Sequence, residues 1–194
     1  MDELEVLLNE LISGEDERAE EAVGRLAEMG AAVLPHLQRW LSSNEVERRW
    51  WATRTLAQMN DPQVLPLLLN ALCDEDLSVR QCAALALRHH PNPQAIPALV
   101  EALQGPDRLL ARLAGDALVA IGEAAIQDLH QVIERAQGEA RLEAMRALAL
   151  MRSPKAMQSL FDALDGDSAL LEYWANEGLE RLGVGMTFFK PGTL

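Results

Sequence analysis

Apolar residues return along this chain every 30 or 31 positions, and the columns they form are nearly invariant in type. Ala22, Ala52, Ala83, Ala114, Ala144 and Ala175 make one column. Four residues on stand Leu26, Leu56, Leu87, Leu118, Leu148 and Leu179, and three further on Met29, Met59, His90, Ile121, Met151 and Leu182. Steps of four and three keep these side chains on one face at 3.6 residues per turn, so each unit carries an amphipathic helix with Ala at the closest approach and Leu beside it. A second stripe precedes it in every unit: Leu4, Leu34, Leu65, Ile96, Ile126 and Met157, then Leu7, Leu37, Leu68, Leu99, Leu129 and Leu160, then Leu11, Leu41, Leu72, Leu103, Ile133 and Leu164. Each unit is therefore predicted to be a pair, a first helix and a second helix.

Turn chemistry divides the units at the same places. Asp61-Pro62, Asn92-Pro93 and Ser153-Pro154 set a capping side chain before a proline, which marks the start of a first helix. Ser42-Ser43-Asn44, Asp74-Glu75-Asp76, Gly105-Pro106-Asp107, Gln137-Gly138 and Asp165-Gly166-Asp167 supply turns and caps ahead of second helices. Pro35, Pro66 and Pro97 fall in register one turn into the first helices, where the lost donor predicts a repeated bend and a curved stack. Six pairs result, at about 2–29, 31–59, 62–90, 93–121, 123–151 and 154–182, with no linker between them. One pair cannot bury its own stripe, so the fold predicted is a single all-α domain over 1–182, an α-α superhelix in which neighbours stack into one core.

Composition narrows the function. The chain has 194 residues, 49% hydrophobic but only 4% aromatic, and Leu and Ala carry most of the apolar content. That composition disfavours β-sandwiches and barrels. Acidic residues outnumber basic ones 30 to 17, for a net charge of −13, so no nucleic-acid partner is predicted. No apolar run is long enough to span a membrane, and Met1-Asp2-Glu3 lacks the basic start of an export signal. No membrane association and a cytoplasmic location are expected. Cys73 and Cys82 have no ligand spacing, and His36, His89, His90 and His130 form no HExxH pattern, so no metal and no cofactor are predicted.

The segment DLSVRQCAALALRHHPNPQAIPALVEAL, residues 76–103, resembles HEAT repeats, and the resemblance extends over nearly the whole chain. The short unit is similar to the compact HEAT-like form named after phycobilisome lyases, with a VRxxAAxAL second helix and a DPxxxPxL first helix. The Arg of the VR pair is present at Arg49, Arg80 and Arg141, but the other repeats have Ala19, Ala111 and Glu172 there, which weakens any regular Asp/Arg ladder. The resemblance implies that second helices line the concave face. It implies a non-enzymatic scaffold for a protein or peptide partner, with a bilin lyase-like or tetrapyrrole-handling protein as the alternative. Oligomeric state is left open.

Counted from the Arg80 column, the outward positions of the second helices hold Trp50, Trp51, Arg54, Leu85, Arg112, Leu113, Leu142, Arg146, Tyr173 and Trp174. Solvated helix faces are normally polar, and Trp, Tyr and Arg dominate binding hot spots, so these ten residues are the candidate concave-face binding set. A competing reading stays open: the side chains bury one another, or the assigned facing is off by one position. Catalytic residues are not assigned. His90 sits in a core column and is expected to be packed and hydrogen-bonded; Cys82 is expected to be a buried thiol without a base. HEAT-like iron hydroxylases carry His-Glu pairs that this chain lacks. HEAT-like DNA glycosylases use concave Trp, Arg and Asp, but Glu20 and Glu21 would oppose a duplex here. Residues 1–30 hold ten acids against Arg18 and Arg25, read as a polar terminal cap or a patch for a basic partner. The tail, 183–194, is expected to cap the stack, with a linear docking motif as the alternative.

Overall fold

The computed structural model describes residues 3–166 and 168–184. They form six first helices, α1 (Glu3–Leu11), α3 (Leu34–Leu41), α5 (Val64–Leu72), α7 (Ile96–Leu103), α9 (Ile126–Arg135) and α11 (Met157–Leu164). These alternate with six second helices, α2 (Asp16–Glu28), α4 (Val46–Leu56), α6 (Leu77–His89), α8 (Arg108–Ile121), α10 (Gly138–Leu150) and α12 (Ala169–Arg181). No strand occurs among the described residues. Each α-helix falls within one of the ranges read from the periodicity, and the 3₁₀ turns Gly30–Ala32 and Gly122–Ala125 begin one residue ahead of theirs. First helices run 8 to 10 residues and second helices 11 to 14, lengths at which an isolated helix is marginal in water, so stacking holds them.

The capping side chains act as their sequence positions imply, one element earlier than expected at the first helices. Asn92 Oδ1 accepts the Gln94 N–H at 2.9 Å, Ser153 Oγ accepts the Lys155 N–H at 3.2 Å, and Asp61 Oδ1 accepts the Gln63 N–H at 2.8 Å. In the Asn92 and Ser153 cases the capped element is a 3₁₀ turn, Pro93–Ala95 or Pro154–Ala156, which then leads into α7 or α11. The α-helix proper therefore begins three residues after that proline, at Ile96 and Met157. Pro35 and Pro97 occupy the second residue of α3 and α7, and Pro66 the third of α5. There the missing N–H has no intrahelical acceptor to lose, so these prolines start helices and do not bend them. At the second helices Asp76 caps Ser78, Asp107 caps Leu110, and Ser168 caps Leu171.

One continuous core runs from Leu4 to Leu179. All six members of the Ala column are 0% exposed, and the Leu column beside it is buried throughout. Successive second helices pack on one another more extensively than successive first helices do. In a curved stack the more closely spaced row lies on the inside, which puts the second helices on the concave side. At Gly178 of α12 a Cβ would stand 2.9 Å from both Ala149 Cα and Leu160 Cδ1, so only glycine lets α12 approach α10 and α11 this closely. The leading face of α12 is polar. Ala111 and Gly115 of α8 are buried under α10, whereas the residues in the same register of α12, Glu172 and Asn176, are exposed.

The arginine ladder is partial, as the sequence departures imply. Arg49, 4% exposed, donates from Nη1 to the Ser43 carbonyl at 2.9 Å and grips Asp74 of the next repeat through Nε and Nη2 at 2.8 and 3.0 Å. Arg80 donates to the carbonyls of Asp74 and Glu75 at 2.6 and 2.8 Å. Both guanidiniums thus hold carbonyls of the turn that follows the preceding first helix, near the negative end of its dipole. The Asp74 hydrogen bond raises the Arg49 pKa further. His90 is half-buried, and its Nε2 lies 3.0 Å from the Ala57 carbonyl, the packed and bonded state its core column implies. Residues 185–194, on which the cap expectation for the tail falls, lie outside the described residues.

Candidate functional site

Six large apolar side chains among the described residues are more than a third exposed: Val6, Val46, Leu85, Leu109, Leu170 and Tyr173. Five of them belong to second helices. Leu109, Leu170 and Tyr173 are 53%, 60% and 56% exposed, values far from those of core positions one helical step away. Most of the large apolar side chains that the fold leaves exposed therefore belong to the second helices.

The ten residues proposed from sequence divide according to where they fall on the helix. Leu85 and Tyr173 are exposed, as is Arg112, with half its side chain in solvent. Trp50, Leu113, Leu142, Trp174 and Arg54 are half-buried. Trp51, 7% exposed, and Arg146, 1% exposed, are interior. The physical reason is angular. Trp50 and Trp51 are consecutive, so their side chains diverge by about 100° around α4, and the second one turns into the core. Cys82 occupies the same register on α6 and is likewise buried. Trp51 instead supports its neighbour: the two indoles meet edge to face at 4.8 Å and 87°. Tyr173 and Trp174 repeat the arrangement at 5.3 Å and 75°.

The arginines of the row are engaged by carboxylates. Arg54 forms a two-pronged pair with Glu20 of α2, Nε to Oε1 at 3.0 Å and Nη2 to Oε2 at 2.8 Å. Arg146 Nη1 reaches Asp116 of α8 at 2.8 Å, its Nε reaches Glu143 at 2.6 Å, and its Nη2 donates to the Arg112 carbonyl at 3.2 Å. Arg112 lies 3.7 Å from the same Glu143. A buried guanidinium is tolerable only when paired and hydrogen-bonded on this scale, so Arg146 is a tie between α8 and α10. Arg54 and Arg146 fix the row; Arg112 is the arginine of the set that still faces water.

Two clefts open along the row. One, about 420 Å³, is walled by Ala57, Cys82, Leu85 and Ala86, with Arg54, Gln58 and His89 at its rim. The other, about 430 Å³, lies between the starts of α10 and α12 and is lined by Leu142, Leu170, Leu171, Glu139 and Ser168, among others. Burial pushes the Cys82 thiol up to about 12, which keeps it protonated and unreactive at neutral pH. Leu109 and Leu170 were not in the sequence-derived set. They stand two residues before the Arg80 column, where the other repeats have Glu17, Glu47, Ser78 and Glu139, and a break from polar to leucine in that column was the available signal. Trp40, on first helix α3, differs from the concave aromatics in being covered by the Arg48 guanidinium, 5.7 Å from its ring centre.

The profile of HEAT repeats matches residues 34–119 and 96–180, so the chain belongs to the HEAT-repeat family. No curated protein sequence matches it. Among solved structures it resembles the complex of CpcE and CpcF of phycocyanin lyase from Nostoc, at 23% identity and a TM-score of 0.56, over 95% of this chain and 77% of that one. It resembles an engineered protein at 24% identity and a TM-score of 0.55, over 95% and 98% of the two chains. Kap95p in its complex with RanGDP is similar over 93% of this chain and 30% of that one, at 17% identity and a TM-score of 0.61. At these identities the likeness is one of fold: helical-repeat solenoids. No helix among the described residues is long and apolar enough to cross a membrane.

Proposed function

We propose that this protein is a non-enzymatic interaction scaffold whose concave row of second helices docks a protein or peptide partner. The observation that carries this reading is the placement of exposed Leu85, Leu109, Leu170 and Tyr173 on that one row, beside half-buried Trp50 and Trp174. Apolar groups held open on a rigid stack gain their burial energy only when something covers them. The fold is consistent with the reading, since the Kap95p structure it resembles is a complex with RanGDP. A tetrapyrrole-handling role has the likeness to phycocyanin lyase behind it and, at the row itself, Arg112 as the one arginine of the set that faces water. Arg54 and Arg146, which would have to meet acidic groups of such a pigment, are already held by Glu20, Asp116 and Glu143.

The test is alanine truncation measured two ways. Against a partner recovered from the native host, Trp50→Ala, Tyr173→Ala and Trp174→Ala should each weaken binding by about 2 kcal/mol, with melting nearly unchanged for exposed Tyr173→Ala and modestly lowered for the half-buried tryptophans. Trp51→Ala should instead lower stability by about 3 kcal/mol or more, because it empties a buried site. If the first three variants lower the melting temperature and bind normally, the row is core and the proposal fails. A shifted visible spectrum on adding a linear tetrapyrrole would favour the pigment role.

A further inference from the structure

The concave row is not uniform along its length, and its asymmetry specifies the chemistry of what it binds. At the N-terminal end, Glu17, Glu20, Glu21 and Glu28 of α2 lie within an arc of about 100° and are all exposed. Of the neighbouring cations, Arg18 is taken up by Glu15, Arg25 by Glu3, and Arg54 by Glu20. The stripe therefore keeps a net negative field over the start of the groove. From α6 onward the outward face of the second helices carries exposed Leu85, Leu109, Leu170 and Tyr173 and half-buried Leu142, and most of its charges are paired: Arg146 with Asp116 and Glu143, Arg108 with Glu139, Arg181 with Glu177, and Arg112, more distantly, with Glu143.

We propose, building on the docking role of this row, that its partner is a bipartite segment. One end is a cluster of Lys and Arg lying over the α2 stripe; the other carries two large apolar side chains, one for the cleft beside Leu85 and one for the cleft beside Leu170. The spacing follows from the helices. Three interaxial steps of about 9 Å separate the α4–α6 cleft from the α10–α12 cleft. Leu85 lies in the C-terminal half of α6 and Leu170 at the start of α12, which adds a displacement of about 10 Å along the helix axes. The two clefts are thus about 29 Å apart, the reach of about nine extended residues. The basic cluster falls about one and a half helix steps, about 13 Å, ahead of the first apolar anchor, which is about four extended residues.

This motif can be tested without knowing the natural partner. The probe is a fluorescein-labelled synthetic peptide with a Lys/Arg block, a short Gly/Ser spacer and two leucines about nine residues apart, followed by fluorescence anisotropy against the full chain. Two control peptides shorten the leucine spacing to about four residues or replace the basic block with Glu. The long-spaced basic peptide should bind at least about tenfold more tightly than either control. Raising NaCl from about 50 to about 300 mM should weaken it severalfold, since an exposed field is screened over such a change. Glu17→Lys with Glu21→Lys should weaken it by about tenfold, and Leu85→Asp and Leu170→Asp by at least as much, with circular dichroism unchanged. If the leucine variants weaken binding but spacing, salt and the lysine exchange do not, the bipartite motif is overturned and the docking row stands. If no concave-row variant affects peptide binding, both fall. Absence of binding by every peptide overturns the motif.

Discussion

Arg146 and Asp116 join α10 to α8 through a 2.8 Å contact between Nη1 and Oδ1, with the guanidinium only 1% exposed. The pair depends on a residue that has no side chain. A Cβ on Gly115 would lie 3.0 Å from Arg146 Nη2, so glycine in α8 makes the space the guanidinium occupies. In the neighbouring repeats this register is Ala84 and Met145, and Arg146 itself aligns with Leu85 and Asp116. The tie is particular to one junction of the stack.

Removing it should therefore cost more than a surface ion pair. Arg146→Ala leaves Asp116 without its cation and Glu143 with only the more distant Arg112, and a loss of about 3–5 kcal/mol is expected from chemical denaturation. Arg146→Met, which fills the volume without a charge, should cost less than alanine. Gly115→Ala should also destabilise, by pressing on the guanidinium. Equal stability of Arg146→Ala and the parent would show that the contact is not a tie.

The Ala column is tight enough to reject added volume. Ala83 and Ala114 are both 0% exposed. Ala83→Leu or Ala114→Leu is expected to lower stability by about 1–3 kcal/mol, because extra methylenes in a filled seam force off-rotamer side chains or backbone shifts. Thermal melts of both variants check this. An unchanged Tm in both would mean that the seam can open.

The two cysteines should differ sharply in reactivity. Cys73 follows α5 and is exposed; Cys82 is buried with its thiol pushed up to about 12 by desolvation. At neutral pH, iodoacetamide should modify the folded chain once, at Cys73, and a second time only after unfolding. Peptide mass mapping reads the position. Rapid modification of Cys82 in the folded protein would show that the cleft beside Leu85 is deeper and more open than the structure has it.

Acid should loosen the inter-helix turns. Hydrogen bonds from Ser78, chiefly its hydroxyl, hold Asp76 below the usual carboxylate range; Asp107 is lowered first by the Leu110 N–H and then by Gln81, and Glu123 first by Lys155 and then by Ser153. A depressed folded-state pKa gives stability that is complete above the unfolded value and is lost as pH falls through the folded one. Stability should thus be level from neutral pH down to about 5 and decline below about 4. Asp107→Asn and Glu123→Gln should make the acid limb shallower, as pH-dependent melting would show.

What the sequence determined by itself was the repeat. Each turn of each helix must bury the same face against a neighbour built the same way, so the Ala and Leu columns, the caps at Asn92 and Ser153 and the six pairs are local or periodic properties that leave a direct trace in residue order. The side on which exposed apolar groups gather was also legible, because the outward register of the second helices departs from polar at Trp50, Leu85 and Tyr173. What only the tertiary structure decided was which members of that register reach solvent. Trp50 and Trp51 are adjacent in sequence and differ by a turn of about 100°, and only the packing around α4 leaves one half-buried and makes the other part of the core. Arg54 and Arg146 read from composition as hot-spot residues, yet Glu20, Asp116 and Glu143, brought from neighbouring repeats or the next helical turn, consume them. Leu109 and Leu170 interrupt a polar column, but it is their exposure in the stack that makes them part of this face. Periodicity records what every repeat shares, and a binding face is made of what the repeats do not share, through distances between helices that no single repeat contains.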